Sequence, residues 1–218
     1  MRINKQNFIN LILKKGEKPV IDGNGDDLMK SYTVTGSSES AKLKEFNTIY
    51  MKSAIIQDSL GKIYQANPND TNLLQTLQVK RLKAMQDMND AFVKLINENL
   101  ASLVSLAATD FLNPDENLAL FTKVEEALAK TMPNSDYYQK FHEKMEKLKQ
   151  LAIGSLAPEL TLPGRDGKMI ALSSLRGNIV LVDFWASWCL PCRKSFPWMN
   201  QLRSKFNEND LAIIAVNV

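Results

Sequence analysis

Apolar positions along the 218 residues change their period twice. From residue 1 to 35 they fall in short pieces, at 7–13, 19–21 and 32–35, separated by a Lys15-Gly16-Glu17 turn and a Gly23-Asn24-Gly25-Asp26 loop, which predicts short strands. Two or three strands with so little apolar surface are marginal alone, so they must pack on the helices after them or belong to a larger sheet. From Ser38 to about Gln150 the spacing becomes helical. One helix runs through Leu43, Phe46, Ile49, Tyr50, Ile55, Ile56, Leu60 and Ile63, with Ser38, Glu39 and Ser40 as candidate N-caps, and stops at Asn67-Pro68-Asn69. A second runs through Leu74, Leu77, Leu82, Met85, Met88, Phe92, Leu95 and Ile96, and Asn97-Glu98-Asn99 breaks it before 100–111. Asn113-Pro114-Asp115 opens another through Leu120, Val124 and Leu128, and Thr131-Met132-Pro133-Asn134-Ser135 separates it from 137–148. After Ile153-Gly154 the pattern returns to strands: 158–162, a turn at Gly164-Arg165-Asp166-Gly167, then 169–172, a hairpin with an Asp-Gly turn. A near-continuous apolar run over 178–185, a helix over 191–206 and an apolar run over 211–218 read as one right-handed βαβ unit.

The expected architecture is therefore α+β in three parts: a short β segment over 1–37, the remnant of a larger β domain; a helical domain over 38–150; and an incomplete α/β domain over 151–218, hairpin plus βαβ. Charge adds only an exclusion. Lys and Arg number 27 against 24 Asp and Glu, a net +3 that gives no reason to expect nucleic acid or an anionic membrane as partner. No run approaches the roughly 20 apolar residues of a membrane helix. The N-terminus has a basic start but an apolar stretch only from Phe8 to Leu13, interrupted by Asn10, and lacks a signal-peptide cleavage site.

In the helical stretch no spacing carries chemistry. Met85 and Met88 read as core filling. His142, beside Glu143 and Lys144, reads as a solvated helix residue without the partner that acid–base or metal roles require, and Lys144, Lys147 and Lys149 read as an exposed face. With that one histidine and two distant thiols, a four-ligand structural zinc site cannot be assembled in one chain, so neither metal nor cofactor is expected.

Chemistry concentrates at Trp188-Cys189-Leu190-Pro191-Cys192, where the apolar strand gives way to a helix. These are the two cysteines of the chain, and a bridge between them closes too small a loop to stabilise much through the unfolded state. Cys189 falls at the helix N-cap, where unpaired N–H groups and the positive dipole end favour a thiolate; each unit of pKa lowering is worth about 1.4 kcal/mol. Cys189 is the expected nucleophile. Cys192, three residues on and one turn deeper, suits a resolving thiol that attacks a mixed disulfide. Pro191 has no N–H to lose in the first turn and stiffens the dipeptide between the sulfurs.

From about Ile153 onward the chain resembles the TlpA/ResA-like thiol-disulfide oxidoreductases of the thioredoxin superfamily. The resemblance runs through Gly154, Ala157-Pro158, Leu160-Thr161-Leu162, Asp166-Gly167-Lys168, Leu172-Ser173, Leu175-Arg176-Gly177 and VLVDFWASWCLPCRKSFP, with Pro197 placed as the family's helix-kinking proline. It implies a thioredoxin-like C-terminal domain in the periplasm or cell envelope, acting on protein thiols and disulfides with a redox partner protein. It also implies that Asp183 accepts or relays the proton of Cys192, and a carboxylate in an apolar strand is expected to have its pKa raised by desolvation. Trp188, Leu190 and Pro191 are the expected substrate-facing residues. Residues 1 to about 150, with Thr35-Gly36-Ser37 at a junction, resemble the N-terminal region of longer envelope members. The missing strands and substrate loop after Val218 lead to the expectation that both ends are truncated. Two rival readings remain: a partner-binding module built on the helical domain, and a superfamily peroxidase, which the absence of a threonine upstream of the cysteine disfavours.

Overall fold

The structure, a computed structural model, describes residues 8–207 and 210–218. The basic start of the chain and the first residue of the strand expected over 7–13 lie outside them. Two compact units divide between Ser155 and Leu156.

In the N-terminal unit, β1 (Val20–Asp22) pairs antiparallel with β2 (Thr33–Thr35), Ile21 opposite Val34, with a 3₁₀ turn and the short α1 (Leu28–Ser31) between them. Over its described residues, 8–13, the segment expected as a strand is not one: beyond a single bridge at Phe8 they have no regular structure. Instead its Ile12 is tied to the next helix, donating its N–H to Ser40 Oγ (3.1 Å) and accepting from the Ser37 and Ser40 hydroxyls at 3.0 and 2.8 Å. Gly36 makes the corner possible. Its φ is +75° and a Cβ would lie 2.5 Å from the Lys18 carbonyl oxygen, so only glycine fits.

Four long helices and one short one come next: α2 (Ser38–Ala66), α3 (Thr71–Glu98), the short α4 (Leu103–Thr109), α5 (Pro114–Thr131) and α6 (Asp136–Gln150). The N-cap of α2 is Ser37, one residue before the three candidates read from the sequence. Its extended backbone lets the side chain accept from Ser40 N–H. Asp70, Ser102 and Asn113 cap α3, α4 and α5 in the same way. The buried core gathers Phe92, Leu95 and Ile96 of α3, Val104 and Ala108 of α4, Phe121, Val124 and Leu128 of α5, and Phe141 and Met145 of α6. Met88 packs against it, but Met85 does not fill the core as expected. It is exposed, because the core closes around the C-terminal half of α3. Ile9, Leu28, Tyr32 and Val34 form a smaller cluster beneath the hairpin.

In the C-terminal unit β3 (Thr161–Pro163) pairs antiparallel with β4 (Met169–Ala171). Gly167 closes their loop with φ +78°. Next come β5 (Ile179–Trp185), α7 (Leu190–Ser204) and β6 (Leu211–Asn217). β5 and β6 pair in parallel over seven residues, Asp183 opposite Ala215 and Trp185 opposite Asn217, which is the strand–helix–strand order the apolar runs predict. Parallel strands need such a helical crossover because a tight turn cannot reverse the chain twice. The whole is an α+β fold with a thioredoxin-like domain at its C-terminal end.

Candidate functional site

The apolar run of β5 ends at Trp185, and five residues later, at Leu190, the backbone enters α7. Cys189 is the N-cap, with φ −80° and ψ 91°, and its carbonyl accepts from Arg193 N–H at 3.1 Å. The helix must begin here. Leu190 and Pro191 fill its first two positions, where backbone N–H groups have no intrahelical acceptor and proline loses nothing. Cys189 and Cys192 are joined as a disulfide, their Cα atoms 5.4 Å apart. The Cys192 N–H points at Cys189 Sγ across 3.3 Å. An amide that donates to this sulfur and a helix dipole aimed at it both favour negative charge there, so the geometry suits a thiolate once the bridge is reduced.

Both cysteines are half-buried, and the residues on their rim are open to solvent: Trp188 is 84% exposed and Leu190 58%, with Pro191 also exposed. Behind the disulfide, Trp185 meets Phe196 edge-on, ring centroids 5.1 Å apart, locking the end of β5 to the second turn of α7. Pro197 sits inside α7, where it withholds the N–H that would otherwise bond Arg193. Asp183 is half-buried in β5. Its Oδ2 is shut off from solvent and has no hydrogen-bond partner among the described residues.

A second group of polar side chains escaped the sequence reading. His142 is not the partnerless surface residue expected: its Nδ1 lies 2.6 Å from Oε1 of Glu125, a buried carboxylate on α5, and its ring stacks on Tyr138. Nor are Lys144 and Lys149 merely a solvated face. Lys144 pairs with Asp110 at 2.7 Å, and Lys149 donates to the other Glu125 oxygen at 2.8 Å and lies 3.5 Å from Glu146. Burial alone would push the Glu125 carboxyl up, but hydrogen bonds from Lys149 and His142 and their charges outweigh it and hold it below the ordinary glutamate range. The same bond to Glu125 raises Lys149. Glu125, His142 and Glu146 place ligand-type atoms within 4.8 Å of one another, yet the Lys149 ammonium already supplies the cation. One signal was available: His142, Glu146 and Lys149 lie at helical spacing, and Glu125 falls next to the buried Val124 on the preceding helix.

Residues 153–218 match the AhpC/TSA family. The thiol-disulfide oxidoreductase ResA of Bacillus thuringiensis (strain Al Hakam) is 40% identical over 80 residues, 37% of this chain and 44% of that protein. ResA of Bacillus subtilis (strain 168) is 45% identical over 65 residues, 30% of this chain and 36% of that protein. A crystal structure described as a DsbE thiol:disulfide interchange protein from Chlorobium tepidum shares 49% identity over 28% of this chain and 43% of its own, with a TM-score of 0.27. This chain thus spans less than half the length of the curated relatives it matches. Its C-terminal part is similar to the thioredoxin-like, ResA/TlpA-type thiol-disulfide oxidoreductases.

Proposed function

We propose that this chain exchanges disulfides with protein thiols through Cys189 and Cys192, without a cofactor. The single observation that carries the reading is the disulfide itself, seated at the N-terminus of α7 with the Cys192 amide directed at Cys189 Sγ. In the reduced protein the Cys189 thiolate attacks one sulfur of a partner disulfide. That S–S bond breaks, the partner's other sulfur leaves as a thiolate, and a mixed disulfide forms. Cys192 then loses its proton and attacks Cys189 Sγ, freeing the second partner thiol and closing the Cys189–Cys192 bridge. Two electrons pass to the partner, with the one proton given up by Cys192; the partner's other sulfur, released as a thiolate, takes its proton from water. Run backward, with a partner thiolate attacking the bridge, the same steps oxidise a dithiol.

Asp183 is the proton acceptor for Cys192 in this scheme. A partly buried carboxylate with one oxygen unpartnered has a lone pair free for a proton. Trp188, Leu190 and Pro191 form the surface that a partner's backbone meets, since they are the exposed residues bordering the sulfurs. The domain assignment belongs to the same proposal: a β segment over 1–37, a helical domain over 38–150 and the redox domain over 151–218. So does a place in the periplasm or cell envelope, with a redox partner protein that resets the pair. Among the described residues no helix is long and apolar enough to cross a membrane.

Cys192→Ser is the test. With the resolving thiol gone, Cys189 should hold partner proteins as mixed disulfides visible on a non-reducing gel and released by dithiothreitol. A Cys192→Ser chain that holds none, together with an unmodified chain that cannot reduce insulin, would remove the proposal.

A further inference from the structure

Helix α7 does more than hold the disulfide. Its residues Leu190, Lys194 and Trp198 recur every four positions and so share one side, spread over about 12 Å of helix. All three are exposed, Trp198 at 58%, and exposed Arg193 and Pro197 flank them. An indole that open, about two and a half turns from Cys189 and on the same helix, is a large apolar surface left to water. The charge on α7 is one-sided: it carries Arg193, Lys194 and Arg203 and no Asp or Glu. Neither Arg193 nor Lys194 makes an ion pair among the described residues.

We infer that this side of α7 is a docking strip for an acidic segment of the protein whose disulfide is exchanged, with an aromatic or aliphatic residue of that segment on Trp198 and its carboxylates facing Arg193 and Lys194. The inference rests on the exchange activity proposed above and names the chemistry of the partner. Unpaired cations beside an apolar surface raise the local concentration of an anionic segment and orient it, and the effect fades as salt shortens the Debye length from about 10 Å at 0.1 M to about 3 Å at 1 M. The partner's charge, and not only its cysteine, then decides which disulfides react fast.

The test uses the full reduced chain and two synthetic peptide disulfides of equal length, each with one Leu beside the cysteine, one flanked by Asp and Glu and the other by Lys. Uncharged 2-hydroxyethyl disulfide is the reference. Each peptide rate is divided by the rate of the same protein with the reference, which removes changes in intrinsic thiolate reactivity. The acidic peptide should react about tenfold faster than the basic one at low salt, with the difference gone near 1 M salt. The double variant Arg193→Gln and Lys194→Gln, both exposed positions, should lose most of the preference, and Trp198→Ala should slow both peptides relative to the reference. Equal rates for the two peptides, a preference that survives the double variant, or a preference indifferent to salt would overturn the docking strip while leaving the exchange activity in place. Failure to react even with the reference disulfide would overturn the exchange activity itself.

Discussion

The two units of this protein divide their labour unevenly. The N-terminal unit holds nearly all of the deeply buried apolar side chains, among them Phe92, Ile96, Phe121, Val124, Leu128 and Met145 at no measurable exposure. Among the described residues of the C-terminal unit, only Ala186, Met199 and Val216 are buried apolar side chains, none of them completely, while Ile179, Phe184, Trp188 and Trp198 are more than half exposed. Yet the Cys189–Cys192 disulfide, on which the proposed exchange rests, lies in the second unit. The contrast shows that the residues most informative about chemistry need not be those that hold a chain together. Stability comes from many weakly specific contacts, whereas exchange at sulfur needs two thiols, a helix end and an approach.

The largest expected effect separates the two kinds of residue outright. Cys189→Ser should abolish exchange with insulin and with small disulfides, because a hydroxyl cannot form the mixed disulfide, and should leave the helical circular-dichroism signal intact. Phe92→Ala should do the reverse. Removing this fully buried ring, packed against Phe46 and Phe111, should cost about 3–5 kcal/mol. The two units can be watched separately, since all three tryptophans, Trp185, Trp188 and Trp198, belong to the second. In urea, the transition followed by helical ellipticity should move to lower denaturant in Phe92→Ala while the tryptophan transition stays. A tryptophan transition that moves equally would mean that the units do not divide stability in this way.

That division also explains how far the chain's own residues announce its structure. The placement of Cys189 and Cys192 at the junction of strand and helix was legible because its determinants are local: an apolar strand, a proline in the first helical turn and two cysteines three apart. The helices were legible from the period of Leu, Ile and Phe, to within a few residues at their ends. What escaped was set by contacts distant in sequence. Ser37 became the cap of α2 because the chain around Ile12 folds back onto Ser37 and Ser40, a pairing 25 to 28 residues apart. His142 found Glu125 on another helix, 17 residues away, so its immediate neighbours in sequence pointed to solvent. Met85 has the same helical phase as Phe92, but on its turn of α3 it is the neighbouring Ala84 that is buried while Met85 stays exposed.

The Glu125 cluster offers a smaller and pH-dependent effect. Glu125→Gln keeps the shape but removes the charge that Lys149 and His142 face, and should destabilise the helical transition by about 1–3 kcal/mol. The sign of the pH dependence is set by the carboxyl's lowered pKa. An unfolded glutamate protonates near 4.3, and the folded one only at lower pH, so the stabilisation is complete above the unfolded value and disappears as pH falls through the folded one. The difference between the unmodified chain and Glu125→Gln should therefore shrink as pH falls below about 4. A difference that grew below that pH would mean that Glu125 does not bear this charge in the folded state.

The smallest effect tests whether backbone conformation alone matters in the sparsely buried unit. Gly167 turns the β3–β4 hairpin with φ +78°, and a Cβ there would meet nothing within 4 Å. Gly167→Ala therefore isolates the strain of a left-handed conformation from any steric clash, and should cost about 1–2 kcal/mol. Gly167→Asn should recover part of that, since asparagine enters this region more readily than alanine. Because the hairpin carries no group of the redox pair, both variants should shift the tryptophan-detected transition without changing the rate at which reduced Cys189 reacts with an uncharged disulfide. A slowed rate would tie the hairpin to the site and erase the distinction, within the second unit, between what folds and what reacts.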